Sequence, residues 1–523
     1  MGSHRHVSTI VALLILCVSL AHAVNNYCWP GMSCFPSNEE QSKFMVSIEL
    51  HELFPFQPGY DSIVVMQNTR TTKFPHSIVT PFSTEEVQKA VLFARKFNLH
   101  MTVISSGHDY FGRSTGDGSF QISLRNISDI DVKLSSSRHP DGEVTIGSGA
   151  PWLSVYEKLN KYNRVVVGGS AHTVAMGGYT HGGGHSPMSR MFGLAVDNLL
   201  EVELVLADGS KAIASADGTE ITSVDGKVNH TTDSSLFWAL RGGGGGTFGI
   251  STKFTFKIHK AAPGVVNLNI VYPMILKNGT FIGDEVLKKM SEIILTAPRN
   301  WGGYFSINGY PDGNTRGSIS LFGNHYGTWE TASRTFMDEL YNFNPEWQKY
   351  RYYTNYTTFL DYERTAIDAK YYTTYVSNIL MNNRSFTPEW RKTLIENAFA
   401  FPLNKSAIVA TGTWIGGKVH EVDIADTAVH PGFRECYMSL TSGVGWSAGF
   451  GDHENEFVEE GQKLREKMRP FGHGSYRNEG SADSPSWKDD FWGSNYDRLL
   501  EIKRKYDPEN WFSCLDCVGS DVL

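Results

Sequence analysis

A single histidine stands in a run of small residues at 105–116, SSGHDYFGRSTG. Glycines in such a loop let backbone N–H groups close on an anionic ligand, and a histidine among them is placed to touch that ligand with a nucleophilic imidazole. Three later segments carry comparable patterns: GGYTHGGGHSPMSRMFGLAVDN at 177–198, LRGGGGGTFG at 240–249 and YRNEGSADSPSWKDDFWGSNYDRLLEIKRKYDPENWF at 476–512. His181-Gly-Gly-Gly-His185 has the spelling of a metal-ligand pair. Ligands at that spacing sit on one helix face, and three glycines oppose a helix, so no metal is expected. Gly244-x-Gly246-x-x-Gly249 spells the dinucleotide fingerprint, which must open a helix. Here Ser251 to His259 alternates like a strand, which argues against a Rossmann domain.

The flanking patterns say what must hold these segments. Ahead of the first loop, Ser83 and Glu86 form a capping box, and Val87, Ala90, Val91 and Ala94 recur at helical spacing. A short β-branched run, Met101 to Ile104, leads into the loop. Residues 131–150 read as paired short strands about the turn Pro140-Asp141-Gly142, 152–160 as a helix, and 198–207 as a strand ending at Asp208-Gly209. Phe254, Phe256 and Ile258 alternate with polar residues and close the first domain. Beyond Ala261 the composition shifts: 264–272 is strand-like, 284–297 helical, and 301–324 short strands between Gly-rich turns. A block with eight tyrosines follows at 350–375, either a wall for stacking a sugar or sheet packing. Tyr496, Leu499, Leu500, Ile502 and Lys503 share a helix that Pro508 terminates, with Lys503 and Arg504 read as its solvated face. Residues 24–75 read as an irregular lead-in.

The four motifs, in this order, resemble the berberine-bridge-enzyme-like FAD-linked oxidases of the vanillyl-alcohol-oxidase superfamily, nearest their secreted fungal-type alcohol and sugar oxidases. The resemblance covers roughly residues 70–260 and 470–521. It implies an α+β fold: a two-part FAD-binding domain of the PCMH type plus a substrate domain with an antiparallel sheet flanked by helices. The implied division is a signal peptide at 1–23, a lead-in at 24–73, the FAD domain at 74–260, the substrate domain at 261–465 and a C-terminal segment at 466–523 returning to the FAD domain.

The resemblance also assigns residues. His108 would carry a covalent bond to the flavin 8α-methyl carbon, cradled by Ser105, Ser106, Gly107, Asp109, Tyr110 and Gly112. The family often adds a cysteinyl bond from C-P-T-V-G. This chain reads Ala171-His172-Thr173-Val174-Ala175 there, so attachment through His108 alone is expected. Val174 matches the small residue where oxygen approaches the flavin in oxidases. Gly177, Gly178, His181, Gly182, Gly183 and Gly184 fall along the ring and pyrophosphate, Asp197 in the matching Gly-Leu-Ala-x-Asp segment, and Gly249 and Ile250 near the adenosine half. Tyr476 and Asn478 match the family's Y-x-N element, in which the tyrosine takes the hydroxyl proton; a tyrosine base needs its pKa lowered below the usual ~10. Glu479 and His185, the latter where relatives often carry tyrosine, are the rival bases. The function implied is hydride transfer from an alcohol or sugar C–H to flavin N5, with reoxidation by dioxygen to hydrogen peroxide. The alternatives are a dehydrogenase with another electron acceptor, or a flavin-carrying secreted glycoprotein without turnover.

Whole-chain features set the compartment and partners. Arg5, the apolar run Ile10–Leu20 and Ala21-His22-Ala23 form a secretory signal. Six N-x-S/T sequons, at Asn126, Asn229, Asn278, Asn355, Asn383 and Asn404, agree with secretion. Of the five cysteines that remain after cleavage, Cys28 could pair with Cys34 and Cys514 with Cys517, leaving Cys436 odd; cross-pairing of the termini stands equally open. The formal net charge is −8, and loss of the signal removes Arg5 and no acid, giving −9. No basic stripe exists to hold a phosphate backbone, which disfavours nucleic acid. The partners expected are a small-molecule substrate and dioxygen, with no membrane in the mature form. Oligomeric state has no signature in the sequence.

Overall fold

In the computed structural model, which describes residues 27–522 apart from 50, 332–333, 367, 369–371, 401–405 and 482, three larger sheets and one two-stranded sheet are formed among the described residues. The signal peptide expected at 1–23 and the Asn404 sequon lie outside the described residues.

The first sheet has four strands. Met101–Ile104 and Ser77–Val79 both run parallel to Phe120–Ser123 between them, and Glu52–Leu53 adds an antiparallel edge. The helix Thr84–Lys96 supplies the crossover between the parallel strands Ser77–Val79 and Met101–Ile104, which flank Phe120–Ser123. Ser83 caps it by accepting from the Glu86 N–H, and its Val87, Ala90, Val91 and Ala94 stripe is buried against the sheet as the spacing predicts. The strand Met101–Ile104 then ends at the histidine loop, which aims that loop off the sheet's edge.

The second sheet is antiparallel and seven-stranded. Its centre pairs Leu199–Val205 with Ile250–Lys257 and Ile250–Lys257 with Glu143–Gly147. The segment after Gly249 is therefore a central strand, which is why the glycine fingerprint opens no helix. The C-terminal helix Tyr496–Tyr506 returns to this part of the molecule, where Leu499, Ile502 and Tyr506 share a core with Leu236 and Trp238.

The third sheet is also antiparallel and seven-stranded, in the order Tyr350–Tyr356, Val265–Ile275, Thr315–Tyr326, Trp301–Asp312, Ser406–Trp414, Met438–Trp446 and Thr373–Met381. One face is covered by the helices Gly283–Thr296 and Pro388–Phe399, with Met290, Trp390 and Leu394 packed against Trp301, Phe305, Ile307 and Leu440. Side chains alternate across a strand. Tyr304, Thr411, Thr413 and Thr441 therefore project from the opposite face and line a cavity.

Two expectations need correction. The lead-in is not irregular: it contains the helix Asn38–Ser47, opened by a full capping box between Ser37 and Glu40. Lys503 is not solvated. Its ammonium is buried and donates to Asp507 Oδ2 at 2.6 Å, Thr247 O at 2.7 Å and Phe512 O at 2.7 Å, which pins the C-terminal segment to the 240–249 loop. Of the two readings left open for the 350–375 block, Tyr350 to Tyr356 fit sheet packing, on the sheet's far edge strand, while Tyr372 lines the cavity. The cysteines pair locally, Cys28 with Cys34 and Cys514 with Cys517, and Cys436 is free and buried. No helix among the described residues is long and apolar enough to cross a membrane.

Candidate active site

A cavity of about 1230 Å³ lies between the glycine loops and the inner face of the third sheet. Drug-sized ligands occupy pockets of about 300–1,000 Å³. This one accommodates a larger group, such as a dinucleotide, together with a small molecule.

Its loop side is built from Ser105 to Tyr110, Val174, Gly177, Gly178, His181, Gly245, Gly246, Gly249 and Ile250. Gly107 adopts φ +82°, a turn that a side chain would strain and that swings His108 into the cavity wall. A Cβ on Gly178 would meet nothing within 4 Å, so the backbone there is bare toward the cavity. Such an open backbone trough beside buried Arg477 and the nearly enclosed side chain of Arg113 suits a flavin dinucleotide. Burial and the neighbouring Arg113 lower Arg477 to about 9. Ala171 is in the wall at the position of the absent cysteine, and disulfide-bonded Cys514 lines the end near Gly245 and Gly246.

The remaining expected cofactor residues support the wall from behind. Gly182 has no room for a Cβ, which would strike the Asn478 amide, so this glycine lets Asn478 reach across. Gly183, Gly184 and Gly112 also lie outside the wall. Gly184 sits at φ +71° against Ala195 and Tyr179, and Gly112 against Thr71. Asp197 is a buried ion-pair partner of Arg434, with two contacts of 2.9 Å, and is not among the residues lining the cavity. His181 and His185 do not converge on a metal. His181 donates from Nδ1 to Leu240 O at 2.8 Å and accepts at Nε2 from Ser251 Oγ at 2.8 Å, and burial lowers it to about 4, so both nitrogens are occupied and the ring is neutral.

His185 instead meets the C-terminal motif. Its Nε2 lies 2.9 Å from Glu479 Oε1, and its ring packs edge-on against Tyr476 with centroids 4.7 Å apart. The second Glu479 oxygen accepts from the Thr441 hydroxyl. Burial pushes the Glu479 carboxyl up, but the His185 charge and the hydrogen bonds from His185 and Thr441 outweigh it and hold the group below its ordinary range. Glu479 is an anion. Tyr476 is the reverse: burial drives its hydroxyl well above the ordinary value, and the Glu479 charge adds to the shift. Asn478 Nδ2 donates to the Tyr476 oxygen at 2.9 Å and also to Gly178 O at 3.0 Å, locking the phenol in place. The tyrosine expected as a base is thus a neutral phenol beside an ionised carboxylate. All four residues, Tyr476, Asn478, His185 and Glu479, line the cavity.

Sequence reasoning missed the roof: Tyr304, Tyr310, Thr374, Thr411, Thr413, Thr441 and Trp446. The only signal was the alternation Thr411-Gly-Thr413 in a strand whose face could not be assigned. It also missed Glu363, buried behind the roof and raised to about 8 by that burial, which accepts from Ser170 Oγ at 3.3 Å.

Residues 75–213 match the FAD binding domain family, and residues 475–514 match the family described as berberine and berberine like. A protein of Arthroderma benhamiae described as an uncharacterized FAD-linked oxidoreductase is 30% identical over 472 residues, spanning 86% of this chain and 78% of that protein. The VAO-type flavoprotein oxidase VAO615 of Thermothelomyces thermophilus is 28% identical over 481 residues, spanning 86% of this chain and 77% of that protein. Among solved structures, the VAO-type flavoprotein MtVAO615 from Myceliophthora thermophila superimposes with a TM-score of 0.79 at 22% identity, over 95% of this chain and 97% of its own.

Proposed function

This chain belongs to the berberine-bridge-like FAD-linked oxidoreductases, and we propose that it is a secreted oxidase of alcohols or sugars whose FAD is attached through His108 alone. Bound in the cavity, FAD supplies a two-electron acceptor that dioxygen regenerates with release of hydrogen peroxide. The observation that carries the reading is the meeting, in one cavity, of the His108 loop and glycine trough with Tyr476, held by Asn478, and Glu479, held by His185 and Thr441.

Each residue has a task. The Tyr476 hydroxyl, oriented by Asn478, hydrogen-bonds the substrate oxygen. Glu479 receives the hydroxyl proton as the adjacent C–H hydride leaves, and His185 and Thr441 hold that carboxylate ready and ionised. The threonine and tyrosine hydroxyls of the roof supply donors and acceptors to a neutral substrate, with Trp446 as an apolar surface. Val174 in the wall supports access of dioxygen. The two local disulfides support an oxidising compartment.

The test is a panel of alcohols and sugars offered to the purified yellow protein under air and, separately, with a dye acceptor in its absence. Substrate turnover with one hydrogen peroxide per substrate supports the oxidase. Turnover with the dye alone would make the protein a dehydrogenase, and none with either would leave it without this activity.

A further inference from the structure

His108 is held by side chains that lie outside the cavity wall. Its Nε2 is 2.8 Å from Thr173 Oγ1. Thr173 donates its hydroxyl to Asp368 Oδ2 at 2.6 Å, and its backbone N–H donates to the same oxygen at 2.7 Å. A threonine hydroxyl has one proton. With that proton committed to the carboxylate, the oxygen offers His108 only a lone pair. Nε2 must then carry the ring proton, and Nδ1 keeps the in-plane lone pair. His108 lines the cavity whereas Thr173 and Asp368 do not, so the nitrogen turned away from this pair is the nucleophilic one. Burial lowers the His108 pKa while the Asp368 charge raises it, the net shift being downward, so the ring is neutral and its lone pair free. Thr173 precedes the helix Met176–His181, and Asp368 lies between the helix Phe359–Glu363 and the strand Thr373–Met381. The relay therefore joins the two halves of the molecule at the histidine.

We propose that Thr173 and Asp368 are positioning residues for flavin attachment, fixing His108 as the Nε2–H tautomer and stabilising the charge that develops on its ring as Nδ1 bonds to carbon. This rests on the covalent reading of His108. In the step, Nδ1 gives its lone pair to the 8α carbon and one C–H bond there breaks. The proton leaves to solvent, and the electron pair of the broken bond enters the flavin, from which dioxygen takes it as hydrogen peroxide. The alkylated imidazole is left cationic, with its Nε2–H directed through Thr173 to the Asp368 carboxylate.

The experiment compares wild-type, Thr173→Val, Thr173→Ser and Asp368→Asn holoproteins. Total flavin is read on the native protein, and attached flavin on acid-precipitated chains sampled over time in air. Thr173→Val and Asp368→Asn are expected to attach flavin about 10²-fold more slowly, the upper range for losing one hydrogen bond to a charged group. They should keep flavin that acid releases, and Thr173→Ser should restore attachment. Attachment in Thr173→Val at the wild-type rate overturns the relay. Loss of total flavin in both Thr173→Val and Asp368→Asn makes the pair structural and also overturns it. Wild-type protein that releases all its flavin into acid overturns the covalent reading and the relay together, an outcome distinct from the other two.

Discussion

Glu479→Gln separates the two candidate bases by sign. Both carboxylate oxygens are engaged, one by His185 at 2.9 Å and one by the Thr441 hydroxyl. Glutamine keeps the shape, and the Thr441 hydroxyl can turn to accept from the new amide, so the folding cost is about one hydrogen bond, ~1 kcal/mol. The chemical cost is larger, because the amide takes no proton. Loss of a general base lowers a rate by about 10²–10⁴-fold, or about 2.7–5.4 kcal/mol at ~1.36 per decade. If Tyr476 were the base, the outcome would reverse. The Glu479 charge pushes the phenol up, so its removal would ease ionisation and hold or raise the rate. The assay is anaerobic stopped-flow bleaching of the flavin by a substrate found active in air. A Glu479→Gln protein reduced at or above the wild-type rate would refute the assignment.

Three further outcomes follow from the same geometry. Tyr476→Phe removes the neutral donor and leaves the base, so flavin reduction should slow by about tenfold, less than in Glu479→Gln, in the range of one hydrogen bond to a developing charge; a larger loss than in Glu479→Gln would return the proton to the tyrosine. Because Glu479 is held below its ordinary value of 4.5, its base form persists above the lowered pKa and is lost only as pH falls through it. The reduction rate should accordingly stay flat down past the ordinary glutamate value, and an acid limb well above it would move the base to His185. Lys503→Met leaves Asp507 charged and buried, with both side chains fully enclosed in the wild type, so chemical denaturation should show a loss of about 3–5 kcal/mol; a loss below ~1 kcal/mol would make the pair dispensable.

The loop side of the site was legible because its chemistry is written contiguously. Ser105 to Tyr110, Gly177 and Gly178, and Tyr476 to Glu479 are short runs whose backbone freedom or hydrogen-bonding groups act in place. The roof was not, because Tyr304, Thr411 and Thr441 come from three strands more than a hundred residues apart at the extremes and meet only through sheet register. Charge state was also hidden. Glu479 lies three residues from Tyr476 in sequence, yet only the fold shows the contacts with His185 and Thr441 that lower its pKa and the burial that raises the phenol's. Helical spacing placed Lys503 on a helix correctly but could not show that a carboxylate four residues on would draw it inside. Asp197 belonged to a matching segment, and its partner Arg434 lay far outside it.

The proposed function requires one flavin held in one cavity by one histidine. Proteolysis of acid-denatured holoprotein and mapping of the flavin-bearing peptides tests that directly. Flavin is expected on a single peptide, the one containing His108, and its loss is expected in His108→Ala. Flavin recovered free in the acid supernatant, or attached to any cysteine peptide, would contradict it.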